Sequence, residues 1–205
     1  MKVHDPVAGG FASLIVVALA AIIALAACSK PDPITFEATD VTGAAFGKEL
    51  SLTDHAGRPR TLDDFKGKVV VVFFGYTFCP DVCPTTLAAL REVKEKLGAD
   101  GKRLQVLFVT VDPERDTPQV LSAYVPAFDP DFLGLYGDAE ATQRAAKEFR
   151  IFYGKSPGAT PASYTVDHSA QVFVFDPQGR LRLVAKPDFK VDSYLHDLRL
   201  LLAGK

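Results

Sequence analysis

Cys79 and Cys83 stand in Phe78-Cys79-Pro80-Asp81-Val82-Cys83-Pro84, just after the unbroken apolar run of residues 69–74. Two sulfurs held where a strand runs into a helix suggest a redox pair or a metal site. A C-x-x-C loop favours thiol–disulfide exchange. Three intervening residues relax the ring and leave two soft thiolates that suit Cu(I). The plainer alternative is a structural disulfide, or a pair of buried thiols. Pro84 fits the first turn of a helix, which sets Cys83 at or beside the helix N-terminus. There the helix dipole lowers a thiol's pKa and favours thiolate.

The chain has four histidines: His4, His55, His168 and His196. His4 belongs to the leader, and His55 falls in a turn and reads as solvated. His196, between Leu195 and Asp197, suits a surface or packing role. His168 lies in Asp167-His168-Ser169-Ala170, in a loop just before an apolar strand. Two thiolates and an imidazole form the soft-to-borderline donor set expected for copper, and Asp167 is placed to fix the histidine's tautomer. Asp112, Glu114, Arg115 and Asp116 crowd the end of a second apolar run. They read either as a strand-end turn with solvated charges or as an acidic group that orients the metal loop or docks a partner. None reads as a ligand, because hard carboxylates are poor partners for Cu(I).

The elements that must position these groups alternate strand and helix. Residues 50–53 and 59–62 flank Asp54-His55-Ala56-Gly57 as a hairpin with a glycine turn. The run at 69–74 suits a central strand buried on both faces. A helix over 84–97 follows, with Leu87, Leu90, Val93 and Leu97 on one face and Gly98 as its stop. The pattern then predicts a strand at 104–111 and a helix at 117–128 with Thr117 as cap and Pro118 at its first position. A short strand at 132–136 and a helix at 139–149 come next. Residues 153–161, rich in glycine and proline, read as a mobile loop leading towards His168. Strands at 171–175 and 181–185 flank the turn Asp176-Pro177-Gln178-Gly179, and a helix at 191–203 ends the chain. This is the order of a thioredoxin-like α/β fold: a central mixed sheet with helices on both faces and an N-terminal hairpin extension. Its functional end lies where the first buried strand meets its helix.

Of the 205 residues, 48% are hydrophobic, ample for one core, and the net charge is −2. No basic stripe is present, which argues against a nucleic-acid partner. Residues 11–27 carry no charge and follow a short segment containing Lys2, as in a secretory signal. Leu25-Ala26-Ala27-Cys28 has the form of a bacterial lipobox, in which Cys28 is lipidated and becomes the mature N-terminus; an uncleaved anchor helix is the alternative. The expected organisation is a signal peptide at 1–27, a lipidated cysteine and proline-rich tether at 28–33, and one domain at 34–205. Either anchor holds the domain on a membrane of the bacterial cell envelope, facing the oxidising periplasm.

Three motifs occur in order: residues 75–84 around the cysteines, Thr110-Val111-Asp112-Pro113-Glu114-Arg115-Asp116-Thr117-Pro118, and Asp167-His168-Ser169. Together they resemble the Sco/SenC family over roughly residues 36–201. The resemblance implies one copper ion, Cu(I) or Cu(II), held by Cys79, Cys83 and His168. It also implies delivery of that ion to the binuclear copper site of cytochrome c oxidase during assembly. Phe78 stands where many relatives carry a histidine, which removes an auxiliary ligand and leaves the main three intact. The receiving oxidase subunit is the expected partner, with another periplasmic copper carrier or a thiol reductase upstream. The competing reading is a thiol–disulfide oxidoreductase that uses Cys79 and Cys83 as a redox-active pair to reduce the cysteines of that site. Two features weigh against it: no proline stands immediately before the strand at 171–175, and a pure dithiol reductase has no need of His168.

Overall fold

The structure, a computed structural model, describes residues 35–160 and 163–205, and the compact unit within them is Phe36–Lys205. The expected signal peptide, Cys28 and the tether up to residue 33 lie outside the described residues. The strands are β1 (Thr39–Asp40), β2 (Ser51–Asp54), β3 (Pro59–Thr61), β4 (Val69–Gly75) and β5 (Leu104–Thr110), followed by β6 (Leu133–Tyr136), β7 (Tyr153–Ser156), β8 (Thr165–His168), β9 (Val172–Phe175) and β10 (Leu181–Ala185). The helices are α1 (Val82–Lys96), α2 (Pro118–Tyr124), α3 (Ala139–Glu148) and α4 (Val191–Leu202). Among the described residues, no helix is long and apolar enough to cross a membrane.

Eight strands form one mixed sheet in the order β1-β10-β9-β4-β5-β6-β2-β3. β4 and β5 run parallel at its centre, in register from Val69 opposite Leu104 to Gly75 opposite Thr110. Every residue of both strands is buried, as continuous apolar runs require when each face is covered. Successive side chains of a strand point to opposite faces, and Phe73 and Phe74 show what covers each. Phe74 packs against Phe149 at the end of α3, while Phe73 meets Phe108, which in turn meets Tyr124 of α2. Helices therefore lie on both sides, as the strand–helix order predicts. β9 pairs antiparallel with β4, and β6 continues parallel to β5. The N-terminal hairpin β2–β3 joins the far edge through β6.

The helix expected over 117–128 stops at Tyr124. Pro126 accounts for the difference: Val125 before it keeps helical angles, but Pro126 has no N–H to continue the ladder. The start is as the sequence predicts, with Pro118 at the first position and Val120 N–H donating to Thr117 Oγ1 at 3.3 Å. The larger departure is at 153–168. The first four residues of the expected loop form a strand of a separate two-stranded sheet, with Tyr153 opposite His168 and Ser156 opposite Thr165. His168 thus ends a strand instead of sitting in an irregular loop.

His55 is not simply solvated. Gly134 N–H donates to His55 Nδ1 at 3.0 Å, and His55 N–H donates to the Gly134 carbonyl at 2.8 Å, so the turn of the hairpin docks on β6. The Nδ1 bond requires an unprotonated acceptor. Burial holds the imidazole below its usual 6.5, with the charge of Asp54 opposing and that of Arg58 assisting. Below that pH the unfolded chain takes up a proton that the folded chain resists. This contribution is therefore present above pH 6.5 and lost as pH falls towards the depressed folded value. In urea unfolding between about pH 7.5 and 5.5, His55→Gln should lose stability less steeply than wild type. The difference is bounded by one proton, about 1.4 kcal/mol per pH unit. Equal slopes would show that His55 does not titrate with folding.

Candidate metal centre

The chain leaves β4 at Gly75 and turns through residues 76–81 into α1. Cys79 N–H donates to the Tyr76 carbonyl at 3.2 Å, which closes the turn. The first N–H groups of a helix have no partner within it, and Asp81 at the cap position makes no side-chain bond to them. Instead Cys83 N–H points at Cys79 Sγ, 3.5 Å away. Cys83 is fully buried and Cys79 is 8% exposed. The two are free cysteines, not a disulfide.

His168 reaches this point from β8. Its Nε2 lies 3.5 Å from Cys83 Sγ, and its Nδ1 lies 3.1 Å from the Ser169 carbonyl oxygen. A carbonyl can only accept, so Nδ1 carries the proton and the Nε2 lone pair faces the sulfur. The edges of Phe73 and Tyr76 fix the ring, with centroids 6.4 and 5.9 Å away. The donor atoms of Cys79, Cys83 and His168 all lie within 4.8 Å of one another. Metal–sulfur and metal–nitrogen bonds like those of zinc, about 2.3 and 2.0–2.1 Å, bring donors on one ion to within roughly 4.6 Å. The three groups therefore fit a shared ion with little movement.

Burial dominates the titration of the site. It pushes the Cys83 thiol far up, and the neighbouring Cys79 and the charge of Asp116 add to the effect. The thiolate expected from the helix N-terminus is thus absent from the metal-free protein, because desolvation outweighs the dipole. Burial also holds the His168 imidazole below 6.5, against the Ser169 bond and the charge of Asp167. Both shifts favour the uncharged forms of Cys83 and His168, and an ion bound by Cys83 must displace its thiol proton.

Of the acidic residues after β5, Asp116 orients the loop. It accepts from Thr77 N–H at 3.0 Å, from Thr77 Oγ1 at 2.6 Å and from Thr110 Oγ1 at 2.6 Å. Asp112 is also buried and takes the Arg115 guanidinium and the Tyr164 hydroxyl. Glu114 is an exposed partner of Lys155. Asp167 does not set the His168 tautomer: its carboxylate accepts from Ser156 Oγ, and alternation along β8 turns it away from the ring. The Ser169 carbonyl does that work. The sequence pattern also missed the contacts of Tyr76 and Tyr164, whose only signal was their closeness to the motifs.

Fold and site together define a thioredoxin-like domain with a two-thiol, one-imidazole centre at the carboxyl end of its central strands. The SCO1/SenC family description matches residues 38–203, and the chain belongs to that family. A mouse protein named "Protein SCO2 homolog, mitochondrial" is 42% identical over 139 residues, covering 66% of this chain and 54% of the mouse protein. The chain thus spans about half the length of this curated relative. Among solved structures, Bradyrhizobium japonicum ScoI with copper bound is 37% identical, covering 77% of this chain and all of that one, with a TM-score of 0.71. Apo Sco1 from Thermus thermophilus is 45% identical, covering 84% and 100%, with a TM-score of 0.73.

Gly75 is the point where strand and sulfur touch. A Cβ there would lie 2.7 Å from the Phe108 ring and 2.8 Å from Cys83 Sγ. Overpacking of this kind costs about 1–3 kcal/mol. Gly75→Ala should lower the urea midpoint of the metal-free protein accordingly. It should also displace Cys83, which the rate of thiol alkylation would report. Unchanged stability and alkylation would show that the strand end has room to spare.

Proposed function

We propose that this chain is a membrane-tethered copper carrier. It binds one copper ion through Cys79, Cys83 and His168 and hands it to the binuclear copper site of cytochrome c oxidase during assembly. The observation that carries the reading is the convergence of the two sulfurs and Nε2 within 4.8 Å. The donor chemistry supports it: two soft thiolates suit Cu(I), and a borderline imidazole extends the set to Cu(II). Family membership supports it too, since a more distant relative is described as a member of the Sco family of cytochrome c oxidase assembly proteins.

Copper here is cargo. Entry releases the proton that burial holds on Cys83. Departure proceeds by ligand exchange with an acceptor's own donors, and Cys79, the less deeply buried of the two cysteines, is where an acceptor first makes contact. The lipobox-like Leu25-Ala26-Ala27-Cys28 supports a lipid anchor at Cys28, with the domain facing the periplasm.

The thiol reductase reading keeps one supporting observation. An outer sulfur at Cys79 backed by a buried one at Cys83 is an arrangement that also serves dithiol exchange. The two activities are compatible, because a disulfide must be reduced before copper can bind.

Anaerobic titration of the reduced domain, residues 30–205, separates the roles. His168→Ala should weaken Cu(II) more than about tenfold while leaving Cu(I) much less affected, and either Cys→Ser change should damage both. Acid should release the ion as the imidazole and thiolates protonate. In cells at limiting copper, His168→Ala should impair oxidase assembly; normal assembly with normal oxidase copper would overturn the carrier reading and leave the reductase. Cys28→Ser should leave a longer, unlipidated precursor. An unmodified Cys28 in the wild-type membrane fraction, seen by mass spectrometry, would favour an uncleaved helix.

A further inference from the structure

The hairpin that carries His168 shares no ladder with the eight-stranded sheet. Apart from the hairpin's chain links to α3 and β9, side chains place the third ligand, among them Tyr76, whose hydroxyl bonds the Val166 backbone of β8. We infer that Arg115 is the positioning residue that fastens this hairpin to the loop carrying Cys79. The inference rests on the copper reading only for its metal measurements.

Arg115 lies in the turn after β5, where Asp116 N–H donates to the Asp112 carbonyl at 3.0 Å. Its Nε donates to the buried carboxylate of Asp112 at 2.5 Å, which anchors the guanidinium to the main body of the fold. Its Nη1 donates to the Tyr164 carbonyl at 2.9 Å, immediately before β8. The guanidinium carbon lies 3.6 Å from the centroid of the Tyr164 ring, 4.7 Å from that of Phe78 and 5.8 Å from that of Tyr76. Phe78 neighbours Cys79, and Tyr76 lies edge-on to His168. One side chain thus touches the thiol loop, the strand end and the histidine hairpin together.

Tyr164 closes the circuit, its hydroxyl donating to the other oxygen of Asp112 at 2.7 Å. Among the described residues Arg115 Nη2 is buried without a hydrogen-bond partner, and ring contacts hold the guanidinium beside the polar bonds. A planar guanidinium can bond through its edge while its face lies on a ring; an ammonium cannot. The other polar tie between the hairpin and the turn after β5, Lys155 to Glu114, is exposed on both sides. Such a pair contributes little.

The test compares wild type with Arg115→Met, and with Arg115→Met combined with Asp112→Asn, which avoids stranding a buried carboxylate should the single variant fail to fold. In the metal-free protein, amide exchange in β7 and β8 should quicken by about tenfold as the hairpin opens locally, while β4 and β5 keep wild-type protection. Cu(II) affinity should fall by about the same factor, and the sulfur-to-copper charge-transfer band should move towards that of His168→Ala, with Cu(I) affinity within about twofold of wild type. Wild-type exchange in the hairpin, or an unmoved Cu(II) band in a folded variant, would overturn the inference. So would loss of protection throughout β4 and β5 in both variants, which would make Arg115 a support of the whole fold. If wild type took up no copper, the carrier reading would fall instead, and the exchange measurement would still decide whether Arg115 holds the hairpin.

Discussion

Asp116, only 1% exposed, lies beyond the ends of the two central strands and receives both the amide and the hydroxyl of Thr77 together with the hydroxyl of Thr110. Stripping water from a carboxylate costs on the order of several kcal/mol unless donors replace it. Burial indeed raises its pKa even with these bonds in place. Thr110 ends β5, and Thr77 is the second residue beyond β4. Satisfying this one carboxylate therefore dictates the path by which the chain leaves the sheet. The turn into α1, the contact of Cys83 with Gly75 and the approach of Cys79 follow from that path. A more exposed acid would leave the loop free to take other routes.

Dryness is the second constraint. Burying Cys83 beside the strand end removes the water that would stabilise a thiolate, so its thiol is pushed up despite its place at a helix N-terminus. A buried thiol at Cys83 is a poor nucleophile until it loses its proton, because thiolate is the reactive form. A soft cation can still replace that proton, since the metal supplies the positive charge that the surroundings lack. Burial here selects for a metal partner more than it impairs reactivity.

The centre also joins two kinds of structure. The sulfurs belong to the β4–α1 junction, held by the sheet itself. The imidazole belongs to a small hairpin held by side chains, notably Tyr164 and Arg115. The two soft donors thus share one support, and the borderline donor has another.

Much of this was legible in the residues alone. The apolar runs at 69–74 and 104–111, the helix stop at Gly98 and the turn at Asp176–Gly179 are local signals that burial merely confirms. Cys79, Cys83 and His168 could be singled out by residue type, spacing and motif. Other features depended on contacts between residues far apart in the chain. Pro126 is the exception: it ends α2 by a local rule, its missing N–H, that the apolar pattern obscured. The pairing of Tyr153 with His168 has no period in its glycine-rich sequence, so it reads as a loop until the two strands meet. His55 looked solvated because its partner, Gly134, is 79 positions away. The state of Cys83 was misjudged for the same reason. A helix dipole can be inferred from the adjacent sequence, but desolvation is the sum of everything packed around an atom, and only the tertiary structure supplies that sum.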